Sequence, residues 1–523
     1  MLEQFFNHAF IAAYVGILLV IAFYGFHRYV LVYLYFKHRH DGYLPKGKYK
    51  QLPKITVQLP MYNEDFVAER IIRSSCQIDY PLDKLEIQVL DDSTDHSADI
   101  AKAACEQWAA KGYPIRYIHR TNREGYKAGA LEAGLKQASG EFIAIFDADF
   151  VPPRDILHNV VDYFTDDKIG MVQVRWDHLN RDASLLTKSQ AIFLDGHFVI
   201  EHTARNRSGR FMHFNGTAGV WRRTTIADAG GWEHDTLTED LDLSYRAQLK
   251  GWQFVYLPQF CAPAELPPEI IGFKQQAHRW TKGSMQTCIK LLPKVLRSKH
   301  LPYTVKSEAF FHLTNTIVYP MMVLLTLMMY PAFIIADAPL KAYTLLGHWL
   351  FSGSLFVLAT CSASTFFVFG QRELFGKNAG WKALLYLPFL MAIGVGVSLN
   401  NAKAVIEAIF SSARRKPSEF VRTPKYGVTG RDRTNWTPVR VFSFKRLMLP
   451  IVEIAFGFYM SCFIVFSLVW QYAVSSVPFL CIFASGYLYV GFSSIYVLWK
   501  MHQEANTEAL EPVAEAIEPG PLL

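Results

Sequence analysis

Phe142-Ile143-Ala144-Ile145-Phe146-Asp147-Ala148-Asp149 is the stretch that decides the fold. Five apolar residues running into two carboxylates read as a short strand buried on both faces, the kind found in parallel sheets. Other β-rich runs of similar length are Ile55–Leu59, Leu85–Leu90, Ile115–His119 and Met171–Val174. Helix-like stretches alternate with them: Asp65–Cys76, Ser97–Lys111 with Ser97 as N-cap, Lys127–Ala138 and Arg154–Phe164. This alternation predicts an α/β domain with a mainly parallel sheet and helices on both faces. Ligands in such domains bind beyond the carboxyl ends of the strands. The candidate groups fall there. The first strand runs into Pro60-Met61-Tyr62-Asn63-Glu64, the second into Asp91-Asp92-Ser93-Thr94-Asp95, and the fourth into Asp147-Ala148-Asp149.

Two Asp spaced DxD suit a hard divalent cation that keeps positions open for phosphate oxygens. A plain Asp turn is the competing reading, and the buried strand before it favours the cation. There is no GxGxxG and no GxxxxGK[ST], which argues against Rossmann dinucleotide binding and P-loop chemistry. Thr238-Glu239-Asp240-Leu241-Asp242 opens an amphipathic stretch that runs to Leu249. Acidity at a helix N-terminus would account for it structurally. Gln276-Ala277-His278-Arg279-Trp280 sets a fixed cation beside an indole. Arg suits bidentate phosphate contacts, and Trp offers a flat face for stacking. A membrane-interface anchor is the alternative for this pair.

The whole chain has 523 residues, 51% hydrophobic and 19% charged, which excludes disorder, collagen-like repeats and a disulfide-stapled mini-protein. Seven scattered cysteines without a CxxC pair suit a reducing compartment. The net charge of +7 is modest, and no nucleic-acid partner is expected. Hydropathy is concentrated at the two ends. Ala9–Phe26 carries no charge over 18 residues, enough for one span, and lacks the form of a signal peptide. Basic residues cluster after it, so residue 40 onward is expected in the cytosol. Ala309–Ala336 and Trp349–Gly370 read as a pair of spans, and Ile454–Trp499 as two more with a break at Ser475, Ser476 and Pro478. Ala383–Phe410 is less regular, with Asn400, Asn401, Lys403 and Glu407 in its second half, and reads as a re-entrant or interfacial element. Five full spans follow, with six as the runner-up. Residues 411–446 hold ten Lys/Arg against two acidic residues, which predicts a cytosolic loop, although attraction to lipid headgroups could also explain the charge.

The expected organisation is an N-terminal helix at 1–40, a cytosolic domain at 51–300, and membrane or interfacial helices at 305–410. A basic loop at 411–446, two membrane helices at 447–500 and an acidic tail at 501–523 follow.

PMYNE, QVLDDST, GYKAGAL, FDADF, FNGTAG, TEDLDL and QAHRW occur in that order. The chain thereby resembles family 2 inverting glycosyltransferases of the GT-A fold, and among them the membrane-embedded cellulose synthase and cellulose-synthase-like group. The longer runs look most like the cellulose-synthase-like A branch, which makes β-1,4-mannan or glucomannan. The resemblance covers residues 53–290 and extends more weakly through Ser398-Leu399-Asn400-Asn401. It implies that Tyr62, Glu64, Asp91 and Asp92 bind base and ribose, and that Lys127 and Arg279 hold phosphates. Asp147 and Asp149 would hold Mg²⁺ or Mn²⁺ on the donor diphosphate. Asp240 would be the general base. Phe214, Asn215, Gly216, Glu239, Gln276 and Trp280 would face the acceptor. Phe420, Thr423 and Lys425 match a FxVTxK loop that closes over the nucleotide, with Arg422 where Val is expected.

A nucleotide-sugar transferase needs a counter-charge for its diphosphate leaving group and a base for the acceptor hydroxyl. The expected activity is processive extension of a β-linked, β-1,4 glycan from UDP-glucose or GDP-mannose. The alternative is one transfer to a lipid: diacylglycerol, ceramide or polyprenyl phosphate. Intact carboxylates at every motif argue against a non-enzymatic scaffold. The expected setting is a bacterial plasma membrane, with the lipid bilayer, a glycan or lipid acceptor and accessory export subunits as partners. The 501–523 tail is too short for an appended cyclic-dinucleotide-binding domain.

Overall fold

The computed structural model describes residues 2–340, 355–414, 418–430, 446–470 and 474–515. Its centre is a seven-stranded mixed sheet. The strands are β1 (Ile55–Met61), β2 (Leu85–Asp91), β3 (Ile115–His119), β4 (Phe142–Ile145), β5 (Ile169–His178), β6 (Gly219–Arg222) and β7 (Gln253–Ala264), in the order β3-β2-β1-β4-β6-β5-β7. β1 to β4 pair in parallel, β6 lies antiparallel between β4 and β5, and β5 is parallel to β7. Every residue of β1, β2 and β4 is buried. Alternation splits them between two cores. Val57, Leu59 and Ala144 face one, and Leu90, Ile143 and Ile145 the other. Polar residues within these strands pair across them. Thr56 Oγ1 donates to Glu86 Oε2 at 2.7 Å, and Gln58 Nε2 to Gln88 Oε1 at 3.1 Å, which offsets the cost of burying them.

The strands expected from the sequence are present, most of them slightly longer. β6 and β7 were not anticipated. Helices Ala68–Cys76, Ser97–Ala110 and Tyr126–Gln137 fill the expected gaps. Ser97 is not the N-cap: it lies inside its helix, and Asp95 Oδ1 takes its N–H at 3.0 Å. The Arg154–Phe164 stretch narrows to Ile156–Val161 followed by a tighter turn, Asp162–Thr165.

Among the described residues, five helices are long and apolar enough to cross a membrane: Glu3–His38, Tyr303–Ala332, Lys377–Gly396, Met448–Val469 and Val477–Gln503. The expected Ala309–Ala336 span is interrupted by a short tight turn at Asn315–Ile317. Of the expected Trp349–Gly370 span, residues 349–354 lie outside the described residues, and a helix occupies Leu355–Phe375. Ala383–Phe410 is not irregular. It comprises two regular helices, Lys377–Gly396 and Ser398–Ala413, that meet at Val397. The second runs beside the long Ile270–Arg297 helix. Asn400 Nδ2 donates to the Lys274 carbonyl at 3.0 Å, Lys282 Nζ to Glu407 Oε2 at 3.2 Å, and Gln286 Nε2 to Ser411 Oγ at 3.3 Å.

Buried ion pairs key the sheet domain into the helices. Arg205 Nε meets Glu308 Oε1 at 2.9 Å, and His27 Nε2 reaches the same carboxylate at 2.9 Å. Lys274 Nζ lies 2.7 Å from Glu453 Oε1, with Ser494 Oγ at 3.3 Å.

Candidate active site

The carboxyl ends of β1, β2 and β4 open into one cleft. After β1, Asn63 takes a left-handed conformation (φ 54°), its N–H donating to Ser93 Oγ at 2.7 Å and its Oδ1 accepting from the Thr94 N–H at 2.9 Å. This ties the first two strand ends together and leaves Tyr62 and Glu64 on the cleft wall. The Arg123 guanidinium lies 3.3 Å from the Tyr62 ring centroid. Asp92 also faces the cleft and receives both Arg120 Nε (2.8 Å) and Nη2 (2.6 Å). Asp91 does not. It is fully buried under the turn, accepting from the Ser93 N–H at 3.0 Å and from the Tyr117 hydroxyl at 2.6 Å. Consecutive residues at a strand end point to opposite sides, so the expectation that Asp91 reaches the nucleotide is corrected: of the pair, only Asp92 faces the cleft.

Asp147 and Asp149 follow β4. Lys127, in the first turn of Tyr126–Gln137, places Nζ 2.5 Å from Asp147 Oδ1, 2.9 Å from the Gly216 carbonyl and 3.9 Å from Glu239 Oε1. Burial disfavours its charge, but Asp147 and Glu239 outweigh burial and the Lys127 pKa is raised. Glu239 and Asp240 begin the helix Glu239–Leu249. Burial first, then the adjoining Glu239 carboxylate, pushes Asp240 up to about 7. Gly216 is left-handed (φ +80°), and a Cβ there would sit 2.9 Å from Asp240 Oδ2. Only glycine lets the Asn215–Gly216 backbone come this close to both Lys127 and Asp240.

Gln276, Arg279 and Trp280 reach the same cleft from Ile270–Arg297. The described part of the basic loop closes over it. Phe420 packs 4.5 Å from the Arg279 guanidinium and stacks on Tyr126 at 6.0 Å. Thr423 is buried in the cleft wall. Arg422 Nη1 reaches Glu64 Oε2 at 2.8 Å, and Lys425 Nζ reaches Asp149 Oδ2 at 2.5 Å. Burial pushes Glu64 up to about 8 against the opposing Arg422 charge.

The cleft thus gathers Tyr62, Glu64, Asp92, Lys127, Asp147, Asp149, Asn215, Gly216, Glu239, Asp240, Gln276, Arg279, Trp280, Phe420, Thr423 and Lys425. Phe214 is the second correction: it is buried against Trp221 in the core and lines no part of the cleft. Arg123, Tyr126, Trp176, His178 and Glu265 line the cleft without having been anticipated. Only Arg123 and Tyr126 carried a signal, Tyr126 as a member of the GYKAGAL run and Arg123 as its neighbour.

The residues present fit a divalent cation. Asp149 is buried and Asp147 lies beside it, both offering hard oxygen donors, and each already grips an ammonium group. A buried carboxylate of this kind requires a counter-charge.

A family model described as glycosyltransferase like family 2 matches residues 53–283. The probable glucomannan 4-beta-mannosyltransferase 4 of Oryza sativa subsp. japonica is 43% identical over 252 residues, 47% of this chain and 46% of its own length. Glucomannan 4-beta-mannosyltransferase 1 of Cyamopsis tetragonoloba is 32% identical over 421 residues, 79% of this chain and 76% of its own. The chain therefore spans about half the length of the first relative and about three quarters of the second. Among solved structures, the mannosyltransferase PcManGT from Pyrobaculum calidifontis in complex with GDP-Man and Mn2+ is 22% identical with a TM-score of 0.48, covering 66% of this chain and 98% of that one. The mixed sheet has the GT-A arrangement, and on the family match together with the 32% identity across most of the Cyamopsis protein the chain belongs to glycosyltransferase family 2, in its cellulose-synthase-like group.

Proposed function

We propose that this chain transfers a hexose from a nucleotide sugar to a growing β-linked glycan, with inversion, and extends it processively. One observation carries the reading: Lys127 joins Asp147 on the diphosphate side to Glu239 and Asp240 on the acceptor side of a single cleft. Tyr62, Glu64 and Asp92 hold the nucleoside. Lys127 and Arg279 hold phosphate oxygens. Asp147 and Asp149 hold Mg²⁺ or Mn²⁺, which when bound neutralises charge on the departing diphosphate. Asp240 Oδ2 takes the proton of the acceptor hydroxyl. A single displacement from an α-linked donor then leaves a β-linkage. Asn215 and Gly216 shape the acceptor side, and Trp280 stacks on the terminal sugar. Phe420, Thr423 and Lys425 cover the nucleotide. The names of the plant relatives favour a β-1,4 linkage and a mannosyl donor.

The apolar helices support a membrane protein with the sheet domain on the cytosolic side. The relatives reported above are plant proteins and lend no support to the bacterial plasma membrane expected from the sequence. The deciding experiment supplies GDP-mannose and UDP-glucose in parallel to the purified full chain in lipid. A polymer cut by a linkage-specific endo-hydrolase supports the reading. A chloroform-soluble product with no polymer would replace it with glycolipid synthesis.

The raised Asp240 pKa predicts a pH profile. The base works only when ionised, so transfer should rise as pH passes upward through about 7 and level off above it. The value belongs to the Glu239–Asp240 pair jointly. Nucleotide affinity should stay flat across the same window, and a flat rate profile there would count against Asp240.

Trp280→Ala should slow transfer to glycan, or shorten the product, by about 5–30-fold, equivalent to roughly 1–2 kcal/mol of stacking. Donor hydrolysis to water should fall much less, and Trp280→Phe should recover part of the loss. Equal loss of hydrolysis and transfer, with less folded protein in the membrane, would make Trp280 an anchor instead.

A further inference from the structure

Behind Asn215, away from the donor side of the cleft, three histidines converge. His197 and His202 lie on a seven-residue π-helical segment, Gly196–His202. Residues five apart on an α-helix are separated by about 140° around the axis. The i→i+5 bonding of a π-helix turns them to one side, and such segments recur at functional sites. Their ring centroids lie 4.5 Å apart. His213 arrives on the loop before Asn215, 4.9 Å from the His202 ring and 5.6 Å from that of His197. One ring nitrogen from each lies within 4.8 Å of the others.

All three Nε2 atoms address one group, the Asn215 amide. His202 Nε2 is 2.5 Å from Oδ1, while His213 and His197 Nε2 are 3.1 and 3.2 Å from Nδ2. The amide NH₂ is a donor, so His197 and His213 turn Nε2 lone pairs towards it, while His202 donates its Nε2–H to Oδ1 and keeps its lone pair on Nδ1. Behind His197, Nδ1 lies 2.5 Å from Glu201 Oε2. A carboxylate there fixes the proton on Nδ1 and strengthens the Nε2 lone pair, the arrangement that backs metal-binding histidines. The Nδ1 atoms of His202 and His213 are buried with no hydrogen-bond partner among the described residues.

We propose that His197, His202 and His213 form a transition-metal site for Zn²⁺ or a similar imidazole-preferring ion, with water as fourth ligand, the ion displacing the Asn215 amide from the Nε2 lone pairs of His197 and His213. Imidazole suits zinc and its neighbours, whereas the Asp147–Asp149 pair offers only oxygen. Zinc–nitrogen bonds of about 2.0–2.1 Å in a tetrahedron put ligand atoms roughly 3.4 Å apart, so the ring nitrogens need to close in by at most roughly 1.4 Å. The ion would fix the loop that carries Asn215 and Gly216. This site stands whether or not the proposed glycan synthesis is correct.

The test uses the full chain in detergent, stripped with chelator and titrated with Co²⁺ in excess Mg²⁺, read by visible absorption and by metal content. One Co²⁺ per chain with the bands of a nitrogen-rich tetrahedral site is expected. His202→Gln and His197→Gln should each weaken binding at least tenfold, and Glu201→Gln by about 10–100-fold. Asp149→Ala should leave the spectrum intact. His197 is partly exposed, so its variant decides the matter if His202→Gln fails to fold. Equal binding by wild type and His197→Gln would overturn the site, as would loss of the spectrum in Asp149→Ala.

Discussion

Asp240→Asn should reduce glycosyl transfer by at least about a hundredfold, within the range for a positioned acid or base, while nucleotide affinity stays within a few-fold. Asn is isosteric and keeps an oxygen for the Leu241 N–H, which Asp240 Oδ1 accepts at 2.8 Å. The helix start is therefore preserved and only proton acceptance is lost. Asp240 faces Gly216 on the acceptor side, across Lys127 from the Asp147 carboxylate. Parallel assays of turnover and nucleotide binding read the two effects separately. A variant retaining more than about a tenth of normal turnover would remove Asp240 from the role of base.

Asp149→Ala should act on the other side of the reaction. Nucleoside diphosphate binding in Mn²⁺ should weaken by about a hundredfold, since a divalent cation on phosphate oxygens contributes several kcal/mol and 1.4 kcal/mol is tenfold. Binding in excess chelator should change far less. The substitution also frees Lys425, whose Nζ lies 2.5 Å from Asp149 Oδ2. Lys425 and a divalent cation compete for one carboxylate, so Lys425→Ala should tighten Mn²⁺ binding when no nucleotide is present. Calorimetry on the two variants measures both shifts. Unchanged diphosphate affinity in Mn²⁺ for Asp149→Ala would refute the assignment of this carboxylate to the metal.

β1, β2 and β4 were legible because each is a short, wholly buried run whose end leads into motif carboxylates, and β3, of which only Ile115 is buried, because Ile115, Tyr117 and Ile118 make it β-rich. β7 was hidden by Pro258 and Pro263 and by a register irregularity against β5 between Val174 and Arg175. β6 is only four residues long and follows the FNGTAG run closely. In the site, adjacency misled twice. Asp91 beside Asp92 and Phe214 beside Asn215 belong to the same motifs, yet one of each pair is buried: Asp91 by alternation at the end of β2, Phe214 by packing of its loop on Trp221. Motif membership says which segment reaches the cleft, not which side chain enters it. The three histidines gave no sequence signal, because a spacing of five lines up only in π geometry.

The ion pairs that key the sheet domain into the helices mean that this catalytic unit is indivisible. A fragment of residues 51–300, the stretch that composition alone marks off as water-soluble, would keep Arg205 and Lys274 but lose Glu308 and Glu453. Within the intact chain, removing Glu308 or Glu453 alone would leave its partner charge buried and cost about 3–5 kcal/mol, a large part of the stability of an ordinary domain; in the fragment the same surface is stripped bare. Lys274 precedes Arg279 and Trp280 on one helix, so the damage would begin less than two turns from the cleft. The long apolar helices are thus a scaffold that the excised enzyme could not do without.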